Sequence, residues 1–210
     1  PFLRGQGIAQ YTSDPVFQQL AEKFQPDASA AKPPVTPATI AMLLKQADNV
    51  PGSFLKNLTS GQALRSVRAF IHYFVRPSLN WENLAFLKAC TSLPIILKGI
   101  LHPEDAKLAV EYGVQGIIVS NHGGRQVDGA LSAIDALPSI VSAVEGKIPV
   151  LMDSGIRTGA DMFKALALGA QAVCLGRPYV YGLTLAGKKG VQSVIQHLQA
   201  EFELTMGLSG

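Results

Sequence analysis

The chain has 210 residues, of which 48% are hydrophobic and 16% are charged. These proportions exclude a disordered or collagen-like chain, and the length allows one sizeable hydrophobic core. The formal net charge of +3 arises from 18 Lys and Arg against 15 Asp and Glu, and the cations form no run. We therefore expect no nucleic-acid partner. An anionic small molecule accounts for the small excess of positive charge equally well.

The sequence also carries no sign of secretion or of membrane insertion. It has no secretory signal and no apolar run near the roughly 20 residues that a membrane helix needs. We therefore expect no membrane partner and an intracellular location, either cytoplasmic or peroxisomal. Cys90 and Cys174 lie in apolar surroundings far apart in the sequence, which predicts reduced core residues. The four His residues and these Cys residues have no zinc-like spacing, so we predict no metal.

Residues 1–92 are predicted to form a segment of loops and connecting helices that precedes the main fold. Gly, Pro and small polar residues predict loops, whereas helical spacing of apolar residues predicts helices. The order is a loop over 1–15, a loop over 25–37, and helices over 38–47, 60–74 and 81–89. In the last helix, the apolar side chains predicted to pack on a sheet are Trp81, Leu84, Phe86 and Leu87.

Residues 93–210 have the pattern of an α/β fold. Short β-branched runs alternate with amphipathic segments of ten or more residues, which is typical of repeated βα units with parallel strands. The four predicted strands are 94–97, 116–119, 149–152 and 172–175. The helices that follow them are 103–112, 135–144, 159–168 and 191–205. The strands are mostly apolar throughout, as expected where both faces of a sheet are covered.

The segment Ser120–Gln126 follows the second strand and has the strongest functional pattern. The imidazole of His122 can exchange a proton near neutral pH, and the guanidinium of Arg125 can hold a carboxylate through two hydrogen bonds. Together they suit chemistry on a small carboxylate substrate. The alternative is a plain turn in which glycines take positive φ, His122 caps and Arg125 is solvated.

Polar residues also end the other three strands. Lys98 ends the first, Asp153-Ser154-Gly155-Ile156-Arg157 follows the third, and Gly176-Arg177 follows the fourth. In barrels of βα units, active groups lie at the carboxyl ends of the strands, and the last two loops often bind phosphate. We therefore predict one shared site with a phosphate pocket. Individually, Lys98 and the two arginines could be surface charges, and Asp153 could cap a turn.

Five motifs resemble the FMN-dependent α-hydroxy acid oxidase and dehydrogenase family. They are Leu93–Gly99, Gly116–Gln126, Asp153–Arg157, Lys164–Ala170 and Leu175–Pro178. The opening Arg4–Pro15 and the Val127–Ala130 segment are most similar to the lactate 2-monooxygenase branch. The resemblance is strong over 76–210 and good over 1–20, whereas 21–75 corresponds to a variable loop over the active site.

This resemblance implies the last four βα units of a TIM barrel, with FMN as cofactor. It implies that His122 is the active-site base and that Arg125 binds the substrate carboxylate. Lys98 would lie beside the flavin N1 and C2 carbonyl, with Ser120 also in contact. The ribityl chain and phosphate would be held by Asp153, Ser154, Gly155, Arg157, Gly176 and Arg177.

The implied reaction oxidises an L-2-hydroxy acid such as lactate to a 2-oxo acid, with O2 as the expected electron acceptor. The family barrel has eight strands, so we expect a fragment of a longer protein, a truncated gene product, or a half that pairs with a complementary N-terminal half. A homo-oligomer is also implied. Two functions stay open: an FMN-dependent oxidoreductase, or a noncatalytic remnant or interaction half that cannot hold FMN alone.

Overall fold

A computed structural model describes residues 9–25, 35–75 and 77–210. The chain divides into two compact units, Pro1–Leu79 and Asn80–Gly210. This division precedes the boundary at residue 92 that the sequence suggested. The reason is helix α6, Asn83–Cys90, which buries Leu84 in the same core as the strands that follow.

The described part of Pro1–Leu79 is helical. Its helices are α1 Ala9–Thr12, α2 Pro15–Lys23, α3 Pro37–Asn49, α4 Phe54–Thr59 and α5 Gln62–Phe74. The helices predicted over 38–47 and 60–74 are confirmed. The loop predicted over 1–15 is wrong for its described end, because α1 is helical and Asp14 Oδ1 caps α2 by accepting a hydrogen bond from the Phe17 N–H at 2.8 Å. Most of the loop predicted over 25–37 lies outside the described residues.

Aromatic rings build the core of this helical unit. Phe17 and Ala69 are buried, and the ring of Tyr11 lies 4.7 Å from that of Phe74. The rings of Phe70 and Phe74 stack with their centroids 4.8 Å apart. Such offset and tilted pairs are favourable beyond the apolar area that they bury. Ring contacts therefore join α1, α2 and α5.

The unit Asn80–Gly210 contains a parallel four-stranded sheet in the order β1-β2-β3-β4. Strands and helices alternate as predicted, and the fold is α/β. After α6 the elements are β1 Ile96–Ile100, α7 Pro103–Glu111, β2 Gly116–Val119, α8 Ala133–Val144, β3 Val150–Met152, α9 Gly159–Ala167, β4 Ala172–Val173 and α10 Arg177–Ser209.

Two elements differ from the sequence prediction in a way that bears on the site. Lys98 lies inside β1 rather than at its end, because the strand continues to Ile100 past an irregularity at Gly99, where φ is +99°. Helix α10 begins at Arg177 and includes the helix predicted over 191–205. Its backbone is non-helical at Ala186 and Gly187, so it consists of two helical segments.

The core of the sheet unit is aliphatic and centres on β2, β3 and α8. Ile117, Leu137 and Ile140 are fully buried there, and Trp81 packs against the same cluster. The predicted packing of Trp81 and Leu84 is confirmed, but that of Phe86 and Leu87 is wrong, since these side chains are 70% and 46% exposed. Helix α6 thus contacts the core along a narrower stripe than its composition suggests.

The cysteine prediction also needs correction. Both cysteines are free, but Cys90 is exposed at the end of α6 and Cys174 is only half-buried. Cys174 follows the two-residue strand β4, whose short length leaves this position at the edge of a cavity rather than in the core. Among the described helices, none combines the length and apolar character that crossing a bilayer would require.

Candidate active site

A cavity of about 550 Å³ lies where the loops leave the carboxyl ends of the four strands. Parallel strands that are adjacent in a sheet bring their carboxyl ends to one edge, which is where α/β folds bind ligands. Nine of the ten predicted site residues line it: Lys98, His122, Arg125, Asp153, Ser154, Gly155, Arg157, Gly176 and Arg177. The structure thus brings together residues that are up to 79 positions apart in the sequence.

Ser120 is the tenth predicted residue and lies fully buried directly behind this cavity. Its Oγ accepts hydrogen bonds from Lys98 Nζ at 3.0 Å and from the His122 backbone N–H at 3.0 Å. It therefore links the cation on β1 to the loop after β2. Ser120 is placed to orient its two neighbours.

Lys98 forms an ion pair with Asp153, with 2.8 Å between Nζ and Oδ2. Burial raises the pKa of the Asp153 carboxyl, but hydrogen bonds from Lys98, Ser120 and Ser154 and the charge of Lys98 outweigh this effect. The pKa of Asp153 consequently lies below its usual value, and the carboxylate is ionised at neutral pH. The pair fixes the ammonium group of Lys98 beside the cavity.

The backbone of His122 is held in the left-handed region, with φ of +55°. Its imidazole lies against Gly99 on the neighbouring strand: a Cβ placed on Gly99 would lie 2.6 Å from His122 Nε2. Glycine inside a strand often marks such a close approach. Gly99 thus provides the space in which the ring of His122 rests, and an alanine there would displace it.

The loops after β2 and β4 are joined by Arg177. Its Nη2 donates a hydrogen bond to the Gly123 carbonyl at 3.3 Å, and a Cβ on Gly123 would lie 2.7 Å from the same nitrogen. Gly123 has φ of +64°, a conformation that glycine takes without strain. The first turn of α10 therefore contacts the backbone next to His122.

The loop after β3 is held at its far end by a capping box on α9. The Arg157 and Thr158 N–H groups donate to Asp161 Oδ2 at 3.0 Å and 2.9 Å, and the Asp161 N–H donates to Thr158 Oγ1 at 3.1 Å. Burial raises the pKa of Asp161, but these hydrogen bonds and the charge of Lys164 prevail and lower it. The backbone that carries the Arg157 side chain is thereby fixed.

The charge of the cavity favours an anionic ligand. Lys98, Arg125, Arg157 and Arg177 supply four cations, and among the described lining residues Asp153 is the one carboxylate. Arginine forks bind phosphate and carboxylate through paired hydrogen bonds. Within the described ranges no three His, Cys, Asp or Glu side chains form a possible metal cluster. The absence of a metal stays a prediction.

Sequence reasoning missed several residues of this region. Gly99 and Asp161 had recognisable signals, a glycine inside a strand pattern and the Thr158–Asp161 spacing of a capping box. Cys174 and Tyr179 also line the cavity, but neither had a sequence signal. Cys174 follows an apolar stretch and Tyr179 follows an arginine-containing one, and residues in both contexts are equally typical of a core or of a surface.

The sequence matches a family described as FMN-dependent dehydrogenase over residues 11–210. The chain belongs to this family. Its predicted membership, made on five short motifs, is therefore confirmed. Over 157 residues it is 53% identical to an L-lactate oxidase of Lysinibacillus sphaericus, an alignment that covers 75% of this chain and 41% of the relative. It is 55% identical over 141 residues to 2-hydroxyacid oxidase 1 of Mus musculus, covering 67% and 38%.

Solved structures also resemble this chain in fold and sequence. A mandelate oxidase with (S)-4-hydroxymandelic acid superposes with a TM-score of 0.64 at 47% identity, covering 71% of this chain and 42% of that one. A mandelate oxidase mutant with a monooxide FMN adduct superposes with a TM-score of 0.62 at 50% identity, covering 65% and 43%. The predicted fold, the parallel βα units of part of a TIM barrel, is confirmed. The chain spans about 40% of the length of the curated relatives named above.

Proposed function

We propose that this chain supplies the substrate base, the carboxylate-binding group and the phosphate pocket of an FMN-dependent enzyme that oxidises L-2-hydroxy acids to 2-oxo acids. The observation that carries the proposal is the convergence of His122, Arg125 and Lys98 on one cavity bordered by Arg157 and Arg177. A base, a carboxylate clamp and a phosphate pocket at one rim are the groups that this reaction requires.

The residues present fit FMN. The cavity volume of about 550 Å³ lies in the range of pockets that hold cofactor-sized ligands. Arg157, Arg177 and the backbone N–H groups of Gly155 and Gly176 offer donors for the phosphate and ribityl groups. Lys98 provides a cation suited to an electron-rich ring edge. The donor set is therefore that of an anionic, phosphate-bearing cofactor.

In this proposal Arg125 binds the substrate carboxylate through its guanidinium and so orients the hydroxyl-bearing carbon. An imidazole nitrogen of His122 then takes the proton of the substrate hydroxyl, or the α-proton, and the ring rests against Gly99 while it does so. FMN, when bound, would accept the two electrons of the oxidation, as a hydride from the α-carbon when His122 takes the hydroxyl proton and as the electron pair left at that carbon when His122 takes the α-proton. Lys98, oriented by Asp153 and Ser120, holds positive charge where negative charge would accumulate.

The substrate is proposed to be lactate or a similar small 2-hydroxy acid, with O2 as electron acceptor. Relatives named as an L-lactate oxidase and a 2-hydroxyacid oxidase support this substrate class. The similarity of Arg4–Pro15 and Val127–Ala130 to lactate 2-monooxygenases supports an oxidase or 2-monooxygenase reaction. Other relatives are named as peroxisomal oxidases of Arabidopsis thaliana, which supports the peroxisomal one of the two locations expected from the sequence, peroxisomal or cytoplasmic.

A second candidate is favoured by the open sheet. Strands β1 and β4 form its edges, and Leu93 and Ile96 near the β1 edge are 73% and 45% exposed. Edge strands with exposed apolar residues are normally covered. In this alternative the chain is a half that binds FMN and reacts only with a complementary N-terminal half, or within a homo-oligomer.

Titration of FMN into the purified chain separates the two candidates. If the chain functions by itself, the flavin fluorescence is quenched, and anaerobic L-lactate then bleaches the visible absorption band. If FMN is not retained, the chain does not function alone. The same titration in the presence of the N-terminal half of a relative then tests the complementary arrangement. Retention without bleaching by any 2-hydroxy acid would contradict the proposed reaction.

The phosphate pocket is tested by Arg157→Ala, with Arg65→Ala on helix α5 as a control that removes the same charge. A charge-assisted hydrogen bond to an anion contributes about 1.5–3 kcal/mol, so we expect Arg157→Ala to weaken FMN binding by roughly 10- to 150-fold. Arg65→Ala should leave the affinity within about twofold. Equal losses in both variants would indicate a general effect of net charge and contradict a phosphate pocket at Arg157.

A further inference from the structure

The backbone of Ser154 adopts an unusual conformation within the site. Its φ is +74°, in the left-handed region that favours glycine. Among the described residues, His122 and Glu145 are the other non-glycine residues with positive φ. Two of the three therefore lie on neighbouring loops of one cavity. Strained backbone of this kind persists where surrounding contacts enforce it. The contacts of the Ser154 side chain therefore indicate what holds this conformation.

The Ser154 hydroxyl contacts three protein groups on two loops. It donates a hydrogen bond to Asp153 Oδ1 at 2.8 Å and accepts one from the Gly123 N–H at 3.1 Å. Its Oγ also lies 3.3 Å from Ser120 Oγ. The Gly123 N–H is shared with Asn121 Oδ1, at 3.0 Å within the same loop. Ser154 is thus the partner that connects this N–H to the loop after β3.

The direction of these hydrogen bonds follows from the donors available. A serine hydroxyl has one proton and two acceptor sites. Both acceptor sites of Ser120 are used, one by Lys98 Nζ and one by the His122 N–H. The Ser120 proton is therefore directed towards Ser154 and its neighbour Asp153. The Ser154 proton is bound to Asp153, so it is not available to a ligand in the cavity.

We propose that the Ser154 hydroxyl is a brace that positions His122, rather than a direct ligand of FMN. It joins the Lys98–Asp153 ion pair to the backbone amide that follows His122. Because the brace consists of protein groups alone, it is formed before any cofactor binds. This refines the sequence prediction, which placed Ser154 among the cofactor-binding residues. Only its catalytic consequence rests on the proposed function.

The brace would act through preorganisation. The backbone of His122 is held in the left-handed region and its ring lies against Gly99, so the position of this loop determines where the imidazole lies. Without the Ser154 hydroxyl, the Gly123 N–H would keep only its bond to Asn121 Oδ1 within its own loop, and the backbone beside His122 would sample a wider range of positions. Errors of about 1 Å in the placement of a reacting group are costly to catalysis. Loss of the hydroxyl should therefore lower turnover more than it lowers cofactor affinity.

Two variants separate these roles. Ser154→Ala keeps the β-carbon and removes the hydroxyl, whereas Ser154→Gly also relieves the backbone strain at φ +74° and so remains foldable if Ser154→Ala is not. Ser139→Ala is the matched control, because the Ser139 hydroxyl donates only to the Ala136 carbonyl within α8. Amide hydrogen exchange of the flavin-free chain is measured by NMR, and FMN affinity by fluorescence quenching.

We expect the Gly123 amide to exchange at least threefold faster in both Ser154 variants and not in Ser139→Ala. FMN affinity should change less than threefold, whereas the rate of flavin reduction by lactate should fall about tenfold with little change in KM. Unchanged exchange of the Gly123 amide in both variants would contradict the positioning role of Ser154. Exchange that becomes faster by the same factor across the amides of β2 and β3 would also contradict it. A more than tenfold loss of FMN affinity would show that the hydroxyl is a ligand. The exchange result does not depend on flavin binding, so it stands even if the proposed function fails.

Discussion

The two units of this chain use different means to hold polar groups. In Asn80–Gly210 the alternation of strands and helices brings four loops to one edge of a sheet, and their cations, imidazole and carboxylate meet there. The described part of Pro1–Leu79 also encloses a cavity, of about 250 Å³, with Lys56, Arg65 and Glu22 among its lining residues. No histidine is among the described residues that line that cavity. The difference teaches that topology, rather than charge alone, distinguishes a site.

The largest expected effect comes from replacing one histidine in the sheet unit, in comparison with one in the helical unit. His122→Gln should lower the rate of flavin reduction by lactate by roughly 10²–10⁴-fold, the usual contribution of a general base. His72→Gln removes a ring that contacts Phe24 and Tyr73 in the helical unit, and it should leave the rate within twofold. Stopped-flow absorbance measures both. If His122→Gln releases flavin instead of slowing reduction, its role as base is contradicted.

The cores can be compared by truncation. Leu137→Ala on α8 removes a fully buried side chain from the sheet unit, and we expect a loss of about 2–5 kcal/mol in its free energy of unfolding. Trp81 is the single tryptophan and packs on that core, so its fluorescence during urea unfolding reports this unit. Phe17→Ala in the helical unit should leave the Trp81 transition unchanged. A shift with both variants would mean that the units unfold cooperatively.

The smallest effect concerns the ion pair. Asp153→Asn should lower the free energy of unfolding by about 1 kcal/mol at pH 7, a modest value because Lys98 is 42% exposed and water screens the pair. Because the pKa of Asp153 is lowered in the folded protein, its contribution is full above the usual aspartate pKa. It is lost as the pH falls through the lowered value. The difference in unfolding free energy between the unmodified chain and Asp153→Asn should therefore disappear in acid. A difference that persists there would exclude this ionisation as its cause.

Much of the fold could be predicted because its signals are local. Apolar runs such as Gly116–Val119 and the acidic first turn of α7 indicate their structures without knowledge of the neighbours. Predictions failed where burial depends on partners distant in sequence. Phe86 and Leu87 are residue types typical of a core, but only a narrow stripe of α6 contacts the core, and both side chains are exposed. The predicted burial of Cys90 and Cys174 was wrong for the same reason.

The order of the βα units and the residue types at the strand ends were determined by the sequence alone, because hydrophobic periodicity and loop chemistry are properties of short segments. Only the tertiary structure decided that Lys98 pairs with Asp153, that Gly99 makes room for the ring of His122, and that Ser154 bonds to the backbone of Gly123. These contacts join residues from different strands. They depend on register and on backbone conformations with positive φ, which arise when the sheet assembles.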